Sequence, residues 1–216
     1  EPYHRQTRLM DMKTTRLASF LLILAAMLAP SSVSAVETAA QILSKCAAKV
    51  NGAPSLTMQF RLEFNGGHSD CTMTLAKEKY RLSASEMEVW YDGTTQWTYA
   101  SANKELSITE PTADELLECN PFTILNGFSK IYDCRRLKGP DYEIELTSKV
   151  KGSAVRKAVV TINTKTYLPT KLVVTLANGR TFSATVTSSS IGKAVPASTF
   201  IYNKAKFPAK EIVDLR

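Results

Sequence analysis

From residue 37 onward the chain changes the period of its hydrophobic positions, from helical to strand-like. Over Glu37–Val50, Ile42, Leu43, Cys46, Ala47 and Val50 recur at helical spacing while Lys45 and Lys49 face away, which predicts an amphipathic helix. The period then becomes two. Met58, Phe60, Leu62 and Phe64 alternate with Gln59, Arg61 and Glu63, and Cys71, Met73 and Leu75 alternate with Thr72 and Thr74. Tyr80 and Leu82, Met87 and Val89, Trp97 and Tyr99, and Leu106 and Ile108 extend the pattern, punctuated by Asn65-Gly66-Gly67, Asp92-Gly93 and Asn103. Short alternating runs joined by tight turns predict an antiparallel meander.

The alternation breaks at Pro111. Thr112 is placed to cap a short helix through Asp114, Glu115 and Leu117, and Asn120-Pro121 introduces a second apolar turn from Phe122 to Phe128. Strands resume with Tyr142, Ile144 and Leu146, whose partners Glu143 and Glu145 should face solvent. Val160 and Ile162, Leu172 to Leu176, and Phe182 to Val186 follow, with Asn178-Gly179 marking a hairpin. About ten short strands with few helices predict a mainly β (α+β) fold, a large antiparallel sheet that curls on itself. One face of that sheet is apolar and rich in Met and aromatic groups. An ordinary core closed by the helices would account for it. Yet so few helical pieces look too small to cover the face, which leaves room for a cavity lined by adaptable side chains such as Met58, Met73 and Met87.

The N-terminus adds an address. Lys13 and Arg16 precede an apolar run of 13 residues, Leu17–Ala29, and Val33-Ser34-Ala35 offers a cleavage point. The run is too short for a bilayer core of about 30 Å, so a secretory signal is expected over residues 1–35, with Glu1–Asp11 an extension upstream of it. Val36 follows the cut where a lipoprotein would need Cys, so the mature protein, a single domain over 36–216, should be free in the periplasm and not lipid-anchored. Cleavage takes four of the 27 Lys/Arg and two of the 20 Asp/Glu, leaving 23 and 18 and a net charge of +5. These charges are scattered, which argues against nucleic-acid binding.

Cys46, Cys71, Cys119 and Cys134 would meet an oxidising compartment, where about three pairings are open to them. Cys119 with Cys134 is favoured because the two bracket one short segment. There is no C-x-x-C spacing, and His68, within a Gly-Gly-His-Ser turn, is the sole histidine after cleavage, so no metal or other cofactor is expected. An enzyme would need a nucleophile with a base, a metal cluster or paired carboxylates; the chain has no G-x-S-x-G, and no catalytic residue is assigned.

The stretch Trp90-Tyr91-Asp92-Gly93-Thr94-Thr95-Gln96-Trp97-Thr98-Tyr99 resembles the D-G-x-x-x-W-x-Y hairpin of the LolA outer-membrane lipoprotein carriers. Leu106-Ser107-Ile108-Thr109, Asn120-Pro121-Phe122, and Val160-Thr161-Ile162 with Leu168-Pro169-Thr170-Lys171-Leu172 follow in the family's order. Phe200-Ile201-Tyr202 and Phe207–Arg216 are similar to a divergent LolA-like subgroup of lipoprotein chaperones. The likeness spans nearly all of residues 37–216. It implies an unclosed antiparallel β-barrel with helices across its mouth, which takes acylated lipoproteins from an inner-membrane lipoprotein-releasing ATP-binding-cassette transporter and hands them to an outer-membrane acceptor without chemistry. A monomer is expected.

On that reading the acyl cavity is lined by Met58, Phe60, Leu62, Met73, Leu75, Leu82, Met87, Val89, Trp97, Tyr99 and Ile108 from the sheet and by Phe122, Ile124 and Leu125 from the insert, with Ile42 and Leu43 on the lid. Trp97 and Tyr99 serve equally well as core. The chain departs from the best-known carriers in one respect: their Lys-Arg-Pro turn, whose Arg holds the lid, reads Lys77-Glu78-Lys79-Tyr80 here. An ammonium lacks the guanidinium fork, so neither lysine reproduces that closure. The alternative function is an RseB-like periplasmic sensor or scaffold that binds a lipid-bearing signal without shuttling it; the absence of a second domain weighs against it.

Overall fold

A computed structural model describes residues 36–216. The predicted signal segment lies outside the described residues. The helix predicted over Glu37–Val50 forms as α1 (Ala39–Gly52), two residues later at each end, because Thr38 caps it. Thr38 Oγ1 accepts from Gln41 N at 3.2 Å and Gln41 Oε1 accepts from Thr38 N at 2.9 Å, a reciprocal box that satisfies two otherwise orphaned amides.

The remaining chain builds a single 12-stranded sheet. Its first strands are β1 (Ser55–Phe64), β2 (Gly67–Ala76), β3 (Lys79–Ser83), β4 (Met87–Tyr91), β5 (Gln96–Ala100) and β6 (Glu105–Thr109). The helical insert comprises α2 (Ala113–Cys119), a 3-10 turn (Pro121–Leu125) and α3 (Phe128–Ile131). After it come β7 (Tyr132–Arg136), β8 (Tyr142–Ser148), β9 (Val155–Ile162), β10 (Pro169–Leu176) and β11 (Thr181–Gly192). A 3-10 turn (Ala197–Phe200) and β12 (Glu211–Asp214) close the chain.

In space the strands run β12-β6-β5-β4-β3-β2-β1-β11-β10-β9-β8-β7. The sheet is therefore unclosed, with β12 and β7 at its edges. Every pairing is antiparallel except that of β12 with β6. Curvature has a local cause at the centre. Between Gln59, opposite Ser188, and Phe60, opposite Val186, β11 carries one extra residue, Thr187, whose hydroxyl donates to Gln59 O at 3.1 Å. Such a bulge bends a strand and increases its twist.

Topology also explains the lid. β6 lies beside one edge of the sheet and β7 forms the other, so the insert between them must cross from edge to edge over the concave face. Thr112 caps α2 as predicted, again with a reciprocal box, here to Glu115. α1 packs on the same face, touching β2, β7, β8 and the Pro121–Leu125 turn.

Three features depart from the sequence reading. Asn65 and Gly66, with φ of +42° and +80°, take both central turn positions, so His68 lies within β2 opposite Glu63 instead of sitting in the turn. β7 and β12 are strands that alternation did not predict; both are short edge strands bearing charge. Glu145 is not free in solvent: it lies nearly buried on the outer face, where Arg135 donates to it at 2.7 Å and Lys157 pairs with its other oxygen.

Candidate functional site

Inward-facing residues of the sheet meet the helices over half of the concave face. Met58, Phe60, Met73, Leu75, Leu82 and Val89 are buried there, and Met87 is half-buried against the same cluster. Ile42 and Leu43 of α1 and Phe122, Ile124 and Leu125 of the 3-10 turn are buried among them. Phe122 stands edge-on to Phe60 with ring centroids 5.7 Å apart and planes at 89°. In this half the helical pieces cover most of the sheet, so these side chains form a packed core, with Ile124 also bordering a smaller cavity under α2.

Trp97, Tyr99 and Ile108 are elsewhere. Trp97 pairs with Trp90 and with Ile108, and Tyr99 with Leu106, all on the strand phase opposite to Leu82, Val89 and Thr98. They belong to a second apolar cluster on the outer face, covered by Tyr202, Phe207 and Ala209. Phe207 packs 5.0 Å from Trp90 and 5.7 Å from Tyr99, ring centre to ring centre. The cavity role expected for these three residues is therefore incorrect. β5 alternates cleanly, but its apolar side (Trp97, Tyr99) is the outer one while Gln96 and Thr98 share the inward phase of Tyr91 and Val89, because the C-terminal segment covers the outer face.

Open space lies at the other end of the concave face. A cleft of about 660 Å³ is walled by Leu62 and Phe64 of β1, Leu117 of α2, Leu176 of β10, Phe182 of β11 and Ala154, with Asn65, Glu115, Asn178, Arg180 and Thr181 at polar positions. Leu62 alone of the predicted lining residues contributes to it. Phe64 and Phe182 face each other across the β1–β11 ladder, two residues along from the Leu62–Ala184 pair, and they share its inward phase. The same alternation that singled out Leu62 could have extended the lining to both, and to Leu176. A second cavity of about 320 Å³ lies under α2, lined by Tyr80, Tyr91, Leu116, Ile124 and others. Leu117 lines both spaces, so one side chain of a two-turn helix stands between them.

Polar groups under the lid are satisfied. Tyr80 Oη donates to Gln96 Oε1 at 2.6 Å, and burial pushes the Tyr80 hydroxyl pKa up. Gln96 Nε2 approaches Cys119 Sγ at 3.8 Å, whereas Cys134 Sγ on β7 donates to Tyr132 O at 3.8 Å. The expected Cys119–Cys134 disulfide is therefore not formed, and no two of the four cysteines are bridged. Cys119 ends α2 under the lid while Cys134 lies in an edge strand, and their sulfurs engage different partners. Burial lifts the Cys46 thiol to about 12.

α1 is held by a device other than an arginine turn. Glu37, just before the helix, accepts from Tyr167 Oη at 2.6 Å and Tyr142 Oη at 3.2 Å and pairs with Lys45. Lys45 and then Tyr167 hold the Glu37 carboxyl below the usual carboxylate range. Asn51 Nδ2 donates to Asn126 Oδ1 at 3.0 Å, tying the far end of α1 to the insert. Lys77, with φ of +56°, instead serves the β2–β3 turn. Among the described residues no group of three or more His, Cys, Asp or Glu could hold a metal, and no helix is long and apolar enough to cross a membrane.

An unclosed antiparallel sheet with helices over its concave face and an apolar cleft between them is the fold of hydrophobic-ligand carriers of the lipoprotein-binding type. The chain belongs to the family described as outer membrane lipoprotein carrier protein LolA, whose model matches residues 31–179. Among solved structures it is similar to an uncharacterized conserved protein from Thermus thermophilus, at 12% identity and a TM-score of 0.57, over 82% of this chain and 98% of that one. It is also similar to the MucA/MucB complex of Pseudomonas aeruginosa, at 18% identity and a TM-score of 0.49, over 79% of this chain and 62% of that chain. A LolA superfamily protein from Nitrosomonas europaea matches at 11% identity and a TM-score of 0.45, over 77% and 99% of the respective chains. No curated protein matches.

Proposed function

We propose that the protein is a periplasmic carrier that takes the acyl chains of lipoproteins into this cleft and moves them from the inner to the outer membrane, performing no chemistry. The observation that carries the reading is the apolar cleft between Leu62, Phe64, Leu117, Leu176 and Phe182 in a chain of the lipoprotein-carrier family. Export by the segment over residues 1–35, loading by an inner-membrane ATP-binding-cassette transporter and delivery to an outer-membrane acceptor complete the route. The need for a carrier is energetic. At about 0.8 kcal/mol per methylene, a sixteen-carbon chain exposed to water costs on the order of 12 kcal/mol, and several chains multiply that.

A cleft of about 660 Å³ has the size of a site for one ligand, typically about 300–1,000 Å³. Additional chains would need α2 to move, and displacing Leu117 would join the cleft to the smaller cavity.

Native mass spectrometry with lipid extraction on protein purified from the periplasm tests the reading, beside a Leu62→Glu variant that places a charge in the cleft. Acylated lipoprotein on the wild type, lost from a variant that keeps its circular dichroism, is the expected outcome. Folded wild type that carries no acylated cargo and takes none from inner-membrane vesicles would overturn it.

A further inference from the structure

We propose that the mouth of the cleft is a head-group site for an anion carried on a single acyl chain, with Arg180 as its cation. The proposal rests on the reading of the cleft as acyl-binding and adds the class of head group. The walls are apolar, while the polar residues gather where the β1–β2 and β10–β11 hairpins approach, at Asn65, Asn178, Arg180 and Thr181. Arg180 is fixed by its own turn: its amide donates to Asn178 Oδ1 at 3.0 Å, its carbonyl accepts from Leu176 N at 2.8 Å, and Gly179 takes a φ of +83° between them. Its side chain reaches the Asn65 amide of the opposite hairpin; with that amide turned so that its oxygen faces the guanidinium, the oxygen accepts from Nε at 3.1 Å and from one terminal nitrogen. A guanidinium has about five N–H donors, so this contact orients the group and leaves others for a second acceptor.

No carboxylate among the described residues forms an ion pair with Arg180. Two acids of the adjoining elements have partners of their own. Glu115, on the cleft wall, accepts from Thr112 N at 2.7 Å and Thr112 Oγ1 at 2.9 Å in the α2 capping box. Glu63, on the outer phase of β1, accepts from Ser183 Oγ at 3.0 Å. An apolar slot for one chain with an oriented guanidinium at its rim matches a fatty-acid carboxylate or a lipid phosphate. The neutral glyceryl thioether of a lipoprotein has no charge to place there.

The test is titration calorimetry of the purified protein with three twelve-carbon amphiphiles below their aggregation concentrations: dodecanoate, dodecyl phosphate and the neutral dodecyl maltoside. Wild type should bind at least one of the anions about fivefold more tightly than the maltoside, as an oriented but solvent-facing cation would provide. Arg180→Gln should remove that preference, bringing the anions to the affinity of the maltoside in the same variant, and Arg180→Lys should restore part of it. Leu176→Glu should abolish binding of all three. A carboxylate preference points to fatty acids and a phosphate preference to single-chain lipid phosphates. Equal binding of the three by wild type, or an anion preference that survives Arg180→Gln, overturns the head-group site while leaving the acyl cleft standing. No binding at all, or binding indifferent to Leu176→Glu, overturns both.

Discussion

Phe122 is the side chain on which the packed half of the concave face can be judged. It comes from the insert, is 3% exposed, and stands against Phe60, itself 2% exposed, at the bulge where β1 and β11 bend. Asn120 places it by accepting from Phe122 N at 3.1 Å. Phe122→Ala deletes a whole ring from a site whose walls are a β-sheet and the apolar face of α1, neither of which can collapse far. The expected loss is about 3–5 kcal/mol, combining lost transfer energy with a residual cavity. In urea, with a slope near 2 kcal/mol/M, the unfolding midpoint should fall by on the order of 2 M. A cycle with Phe60→Ala should show a coupling of about 0.5–1.5 kcal/mol from the edge-to-face pair. A loss below about 1 kcal/mol together with additive single mutants would refute the reasoning, since it would mean that the insert does not seat its ring on the sheet.

Glu37→Gln tests the latch on α1. Because the folded-state pKa of Glu37 lies below its ordinary 4.5, its ionised form stabilises the fold above that value, and the contribution fades as pH falls through the folded pKa. The melting-temperature gap between wild type and variant should therefore be open at neutral pH and close in acid; a gap that persists in acid contradicts the latch. Phe207→Ala should shift tryptophan emission to the red by wetting Trp90, which is 1% exposed, while leaving acyl binding intact because the two clusters lie on opposite faces. An unchanged spectrum would argue against the C-terminal cover. Without reductant, all four cysteines should react with a thiol reagent after unfolding, and Cys46 should resist it in the folded protein; two equivalents after unfolding would mean that a disulfide had formed.

The strand alternation from Met58 to Val186, the helix bearing Ile42 and Leu43, and the Thr112 cap were all legible in the sequence, because each depends on residues near one another along the chain. So was a large curled antiparallel sheet, through its turn residues and alternating positions, while its unclosed form was implied by the resemblance to the LolA carriers. The contents of its interior were not legible. Periodicity assigns Met58, Phe60 and Leu82 to one face but carries no information on distance, and only the edge-to-edge crossing of the insert determined that Phe122 would pack on that half while Leu62, Phe64 and Phe182 stayed open. Trp97, Tyr99 and Ile108 were misplaced for a related reason: β5 and β6 alternate regularly, but alternation does not say whether the apolar face is the concave one or an outer one that another segment covers. Their orientation followed from a C-terminal segment about a hundred residues away, whose β12 pairs in parallel with β6. Local sequence thus determined which side chains share a face, and long-range packing decided which of those faces is filled, covered or left open.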